Sequence, residues 1–154
     1  MGPVDARKVL SLAIDLELKA SACYEKLASM PGSEAFRDDL RHLAQEEVVH
    51  ANLLRSGKEF EALEPEAFGQ TMVPVERLED HIGQADAFLA ELDAGGVAFA
   101  EAVRRIRDLE FAFERVHMGT LLEVRSPRLE KLFRALSAQD AAHALRLEAI
   151  LRDL

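Results

Sequence analysis

The sequence predicts an all-α fold: a four-helix bundle of two helical hairpins joined by a long crossover that carries a lesser helix. Three observations lead there. Long stretches rich in Ala, Leu, Glu and Arg are helix-forming material, interrupted by only five prolines and eight glycines in 154 residues. Within them, apolar residues recur at steps that sum to heptads. Turn signals then divide the chain into two short hairpins with one long segment between them.

The first helix is expected from about residue 5 to 30, with Ala6, Leu10, Ala13, Ala20 and Leu27 on one seam, and Pro31-Gly32 ends it. Ser33 is placed to cap the second helix, about residues 34–60, whose seam carries Phe36, Leu40, Leu43 and Leu54. Residues 61–96 read differently: "EPEAFGQTMVPVE" as a loop, and "RLEDHIGQADAFLAELDAGG" as the lesser helix closed by its Gly pair. A third bundle helix follows from about 97 to 125, with Phe99, Val103, Ile106 and Phe113 in heptad positions, and Ser126-Pro127 breaks it. The fourth runs from about 128 to 154 and turns Leu129, Phe133, Leu136, Leu147 and Ile150 inward. Residues 1–154 are thus expected to form a single domain, long enough for a real core.

Composition narrows the function. A net charge of -9, from 28 acids against 19 Lys and Arg, argues against nucleic acid as a partner, because binding a phosphate backbone needs a basic face. Cys23 is the only cysteine, which rules out an intrachain disulfide or a cysteine-rich metal module. The N-terminus lacks a basic-then-apolar pattern and no apolar run approaches membrane-spanning length, so a cytoplasmic protein without membrane association is expected.

Acids three residues before a histidine catch the eye: Glu47/His50, Asp140/His143, Asp39/His42 and Glu114/His117. With 28 acids among 154 residues, five histidines yield roughly one such match by chance, so the spacing alone selects nothing. An internal repeat does select. Shifting the chain by 93 lays "DLE" at 15–17 on "DLE" at 108–110 and His50-Ala51 on His143-Ala144; Leu43 falls on Leu136, Glu47 on Asp140 and Leu54 on Leu147. Seam position is an independent test, since a site inside a bundle must be built from inward-facing residues. Glu17, Glu47, His50, Glu110, Asp140 and His143 all lie on seams, as do Tyr24 and His117. Asp39 and His42 fall off the seam onto solvated surface, Glu114 flanks it, and Glu46 reads as an outward charge.

The level of the six agrees as well. The midpoint of Glu17 and Glu47 is Gly32 of the first turn, and that of Glu110 and Asp140 is Arg125, beside the Ser-Pro break; in antiparallel hairpins this places all six in one layer. Four carboxylates in a bundle core repel one another and each costs several kcal/mol of desolvation, so cations, protons or basic partners must compensate. Two divalent cations would balance four carboxylates. Carboxylate with imidazole and no thiolate suits iron or manganese, with zinc as an in vitro substitute. Tyr24, one heptad beyond Glu17, is either a core aromatic or a hydrogen-bond and electron-transfer partner of the site. His117 stands in the equivalent place after Glu110 and is expected beside the metals rather than on them, while Cys23 is a small packing residue. Leu18, Phe111 and Leu151 fall off the seams and need cover, from the connection or from a second copy of the chain in a homodimer.

With two hairpins, one long crossover and these six residues, the chain resembles the rubrerythrin branch of the ferritin-like diiron proteins over nearly its whole length. The resemblance implies two iron ions that cycle between ferrous and ferric states on meeting peroxide or dioxygen, in oxidative-stress defence or iron handling. Glu17 and Asp140 would be mainly terminal ligands, Glu47 and Glu110 would bridge, His50 and His143 would bind one metal each, and Tyr24 would stand near the metals. There are three departures. One cysteine cannot supply the four-cysteine rubredoxin module of the family, so an electron donor would be a separate protein. Phe113 stands where the family usually has a further Glu, which puts its redox-linked metal shift in question. Asp140 replaces the usual Glu and is shorter by one methylene. The alternatives are a ferroxidase for iron storage and a non-catalytic protein that senses or delivers iron.

Overall fold

Heptad patterning becomes five helices in a computed structural model that describes residues 6–71, 75–116 and 122–154. In order these are α1 (Ala6–Ala28), α2 (Arg37–Leu63), α3 (Val75–Ala94), α4 (Phe99–Val116) and α5 (Pro127–Asp153), with two short strands, β1 (Phe68–Thr71) and β2 (Leu122–Val124). α1 packs against α2, and α4 against α5, giving the two hairpins of a helical bundle. No described helix is long and apolar enough to cross a membrane.

The first hairpin closes at Gly32, whose φ of 92° lies in the left-handed region that glycine tolerates. A Cβ there would also stand 3.3 Å from Cβ of Phe99, so the turn doubles as a seat for the start of α4. Ser33 does not cap the second helix as expected. Its hydroxyl donates backward to the carbonyls of Ala28 (2.8 Å) and Met30 (2.7 Å), filling acceptors left open at the end of α1, and α2 is entered through a 3-10 turn at Glu34–Phe36. At its far end α2 runs past the expected boundary to Leu63 and stops where Glu64 precedes Pro65, a position that disfavours helical backbone.

The lesser helix is α3, and it lies parallel to α1. Lys19 pairs with Asp86 at 2.7 Å and Lys26 with Asp93 at 3.1 Å, which fixes the direction and register of the two helices. Such exposed pairs contribute little energy; the attachment comes from burial. α1 carries a second apolar stripe, Val9, Leu16 and Cys23, all buried and clustered with Leu78, Ala85, Phe88 and Leu92 of α3.

The expected helix over 97–125 is shorter. α4 is described to Val116, and residues 122–124 are extended, pairing antiparallel with β1 at Phe68↔Val124 and Thr71↔Leu122. Part of the expected loop is therefore strand. Val124 is β-branched, which suits the extended backbone of 122–124 better than a helical turn. The ribbon is anchored by the Arg125 N–H, which donates to the Ala67 carbonyl at 2.7 Å, and by Phe68 in the core.

The core divides into two apolar clusters. One gathers Leu10, Ala13, Leu54, Phe133 and Leu136 toward the ribbon end; the other gathers Leu27, Leu40, Leu43, Val103, Ile106 and Leu147 toward the Gly32 end. Between them lies a polar layer.

Candidate functional site

Each member of that layer sits on a helix seam otherwise made largely of aliphatic and aromatic residues. Glu17 comes from α1, Glu47 and His50 from α2, Glu110 from α4, and Asp140 and His143 from α5; none is more than 4% exposed. All six expected residues are brought together. Ligand atoms of Glu17, Glu47, His50 and Asp140 lie within 4.8 Å of one another, and so do those of Glu47, Glu110, Asp140 and His143. The two groups share Glu47 and Asp140, which departs from the division of roles that the family resemblance implies, where Glu47 and Glu110 would be the shared pair. Glu17 and Glu110 each belong to one group.

The two imidazoles stack with ring centroids 5.3 Å apart and planes 12° from parallel. Each ring has its outer nitrogen held and its inner nitrogen turned into the layer. His143 Nε2 donates to Glu46 Oε2 at 2.6 Å, and Nε2 of His50 meets Gln139 Oε1. With Nε2 carrying the proton, Nδ1 of the neutral ring presents its lone pair to the carboxylates. Nδ1 of His50 lies 3.6 to 3.7 Å from oxygens of Glu17, Glu47 and Asp140, too far for a hydrogen bond. Nδ1 of His143 is 2.5 Å from Glu47 Oε1, yet neither atom makes an aligned hydrogen bond. Nδ1 of both imidazoles and Oε1 of Glu47, buried and without aligned partners, converge from α2 and α5 on the carboxylates of Glu17, Glu110 and Asp140, an arrangement that fits a cation between them.

Titration follows the same geometry. Burial, and then the Glu110 carboxylate, push Glu47 up to about 7. Burial and the Asp140 and Glu17 charges hold Glu110 well above the carboxylate range. Burial disfavours the His50 imidazolium, but the carboxylates of Glu17 and Glu47 outweigh it and raise the ring to about 11. His143 moves down, chiefly through burial and against the pull of Glu46. Without cations, protons offset the repulsion among these carboxylates, since Glu47, Glu110 and His50 all hold theirs more tightly than the free groups do.

Tyr24 takes the place its heptad position suggests. Fully buried, it donates its hydroxyl to Glu110 Oε1 at 2.8 Å and meets the His143 ring edge-on, with centroids 6.3 Å apart. Cys23 beside it is buried packing, its thiol pushed up to about 12 by burial. Asp39 and His42 are on the surface as expected. His117 lies outside the described residues, as do the side chains of Phe113 and Glu114. Leu18 and Phe111 stay partly exposed, at 36% and 38%.

Glu46 is the correction. Read as an outward charge, it instead links His143 to His42, whose Nε2 lies 2.7 Å from Glu46 Oε1. Gln139 is the other residue that sequence reasoning missed. A signal existed: Glu46 and Gln139 are themselves related by the offset of 93 that picked out the ligands. Seam position hid them, because they flank the seam and reach sideways to the neighbouring helix.

Comparison with protein-family models, with curated proteins and with solved structures gives no match.

Proposed function

We propose that the polar layer is a dinuclear metal centre and that the protein is a ferritin-like, rubrerythrin-type oxidoreductase reacting with peroxide or dioxygen. The observation that carries the metal reading is the pair of overlapping four-residue groups, each with three carboxylates and one imidazole, sharing Glu47 and Asp140. Six residues with four acids and two imidazoles remain net negative even with both rings protonated, and two divalent cations correct this. Iron is the favoured occupant, with manganese or zinc as alternatives.

Glu17 and His50 would hold one ion, Glu110 and His143 the other, with Glu47 and Asp140 serving both. Iron so held supplies electrons and Lewis acidity to the oxidant. The protein's own contribution is orientation and exclusion: Gln139 and Glu46 fix the imidazole tautomers, Tyr24 holds Glu110 by its hydroxyl, and the two apolar clusters keep bulk water from the layer. The lone Cys23 is buried and its thiol stays protonated, so it is not the electron donor, and a separate donor protein would fill that role.

Anaerobic loading of chelator-treated protein with ferrous iron, followed by mixing with peroxide and with air in parallel, tests this. Two iron ions per chain and rapid appearance of ferric absorption are expected. The low exposure of all six residues favours a second reading, a centre that binds metal without turnover. Two tightly held ferrous ions that neither oxidant touches would establish it, and iron far above two per chain would point to storage.

A further inference from the structure

We infer that Glu46 makes the two metal positions unequal, so that divalent cations fill the half of the centre built on His143 before the half built on His50. This rests on reading the layer as a dinuclear centre. In residue type the two halves match: each has one imidazole, one private Glu, and the shared Glu47 and Asp140. What differs stands behind the rings. The residue four before each histidine crosses to the other helix and holds the opposite imidazole: Glu46 of α2 holds His143, and Gln139 of α5 holds His50. The exchange obeys the repeat, but one partner is a carboxylate and the other a carboxamide.

That difference has a direction. A carboxylate accepting from Nε2–H draws the proton outward and makes Nδ1 a stronger donor, and it brings a full negative charge within one ring's width of a bound cation. A carboxamide orients the ring without either effect. His42 steadies the arrangement, its Nε2 being 2.7 Å from Oε1 of Glu46 while Oε2 engages His143. Two features oppose the inequality. The Glu46 side chain is 34% exposed, so solvent screens part of its charge, and the Tyr24 hydroxyl withdraws some density from Glu110 in the same half. A neutral hydrogen bond to one carboxylate oxygen is the weaker influence, and it leaves Oε2 of Glu110 for the metal.

Calorimetric titration of the chelator-treated full chain with Co2+ tests the inference, with histidine 15N NMR during Zn2+ titration identifying which ring is engaged first. Wild type should bind two ions in steps separated by about tenfold or more, with His143 shifting in the first. Glu46→Gln should weaken the tight step by about 10- to 100-fold and close the gap. Gln139→Glu should close it from the other side by tightening the weak step, a gain that misfolding cannot imitate. Two ions of equal affinity in wild type, His50 shifting first, or a gap untouched by both substitutions would overturn the inference and leave the dinuclear centre standing. Failure of wild type to bind two ions would instead overturn the dinuclear reading itself, and this inference with it.

Discussion

The two apolar clusters and the polar layer between them are built on the same helix seams, with opposite energetic consequences. In the clusters, seam residues such as Leu27, Leu40 and Leu147 are fully buried and gain by leaving water. Four to ten residues along the same helices, Glu17, Glu47 and His143 are buried as deeply and lose by it. The clusters stabilise the protein on their own. The layer lowers its stability until protons or cations offset its charge, so the bundle carries this layer at a cost in folding energy.

Truncating a cluster residue should break the comparison on its stabilising side, and this is the largest effect expected. Leu27→Ala removes a fully buried side chain ten residues, roughly 15 Å of helix, from Glu17. It should cost about 2–5 kcal/mol in denaturant unfolding. Two metal ions per chain should still bind, because the layer is untouched; a loss of metal together with stability would mean that cluster and layer are not separable.

Glu47→Leu tests the other side. Glu47 belongs to both four-residue groups, so tight binding of both ions should disappear. Chelator-treated protein should nonetheless gain stability at pH 8, by about 1–4 kcal/mol, since a buried acid that would ionise above about 7 is replaced by hydrocarbon of similar size. A variant less stable than chelated wild type would show that this carboxylate supports the metal-free fold.

The smallest effect expected is a slope with pH. A carboxyl raised in the folded state, as Glu47 is to about 7, binds more protons folded than unfolded; its contribution is complete below the ordinary 4.5 and is lost as pH rises through about 7. His50, raised to about 11, contributes fully below 6.5 and loses that contribution as pH climbs toward 11. His143 is shifted down and acts in the opposite sense, favouring the fold as pH rises toward 6.5. The melting temperature of chelated protein should therefore fall between pH 6.5 and 9, while metal-saturated protein should show a flatter profile because cations replace the protons. Parallel profiles with and without metal would argue that the layer is not where the cations bind.

Helices, seams and the six converging residues were legible in the sequence because periodicity records which way a side chain points on its own helix. Glu17 and Glu110 face inward for the same reason Leu10 and Ile106 do, and equal distances from the turns put the six at one level. The offset of 93 went further, distinguishing Glu47 and Asp140 from the other acids spaced three before a histidine.

Tertiary structure decided what depends on how helices are rotated and spaced against one another. Glu46 holding His143 and Gln139 holding His50, the sharing of Glu47 and Asp140, the ribbon that replaces the expected end of the third bundle helix, and Ser33 donating back to α1 are all contacts between segments distant in the chain or competing for the same backbone groups. A heptad pattern assigns each residue a direction on one helix, but a hydrogen bond between helices depends on two directions and the gap between the axes, and one sequence's periodicity contains no such distance.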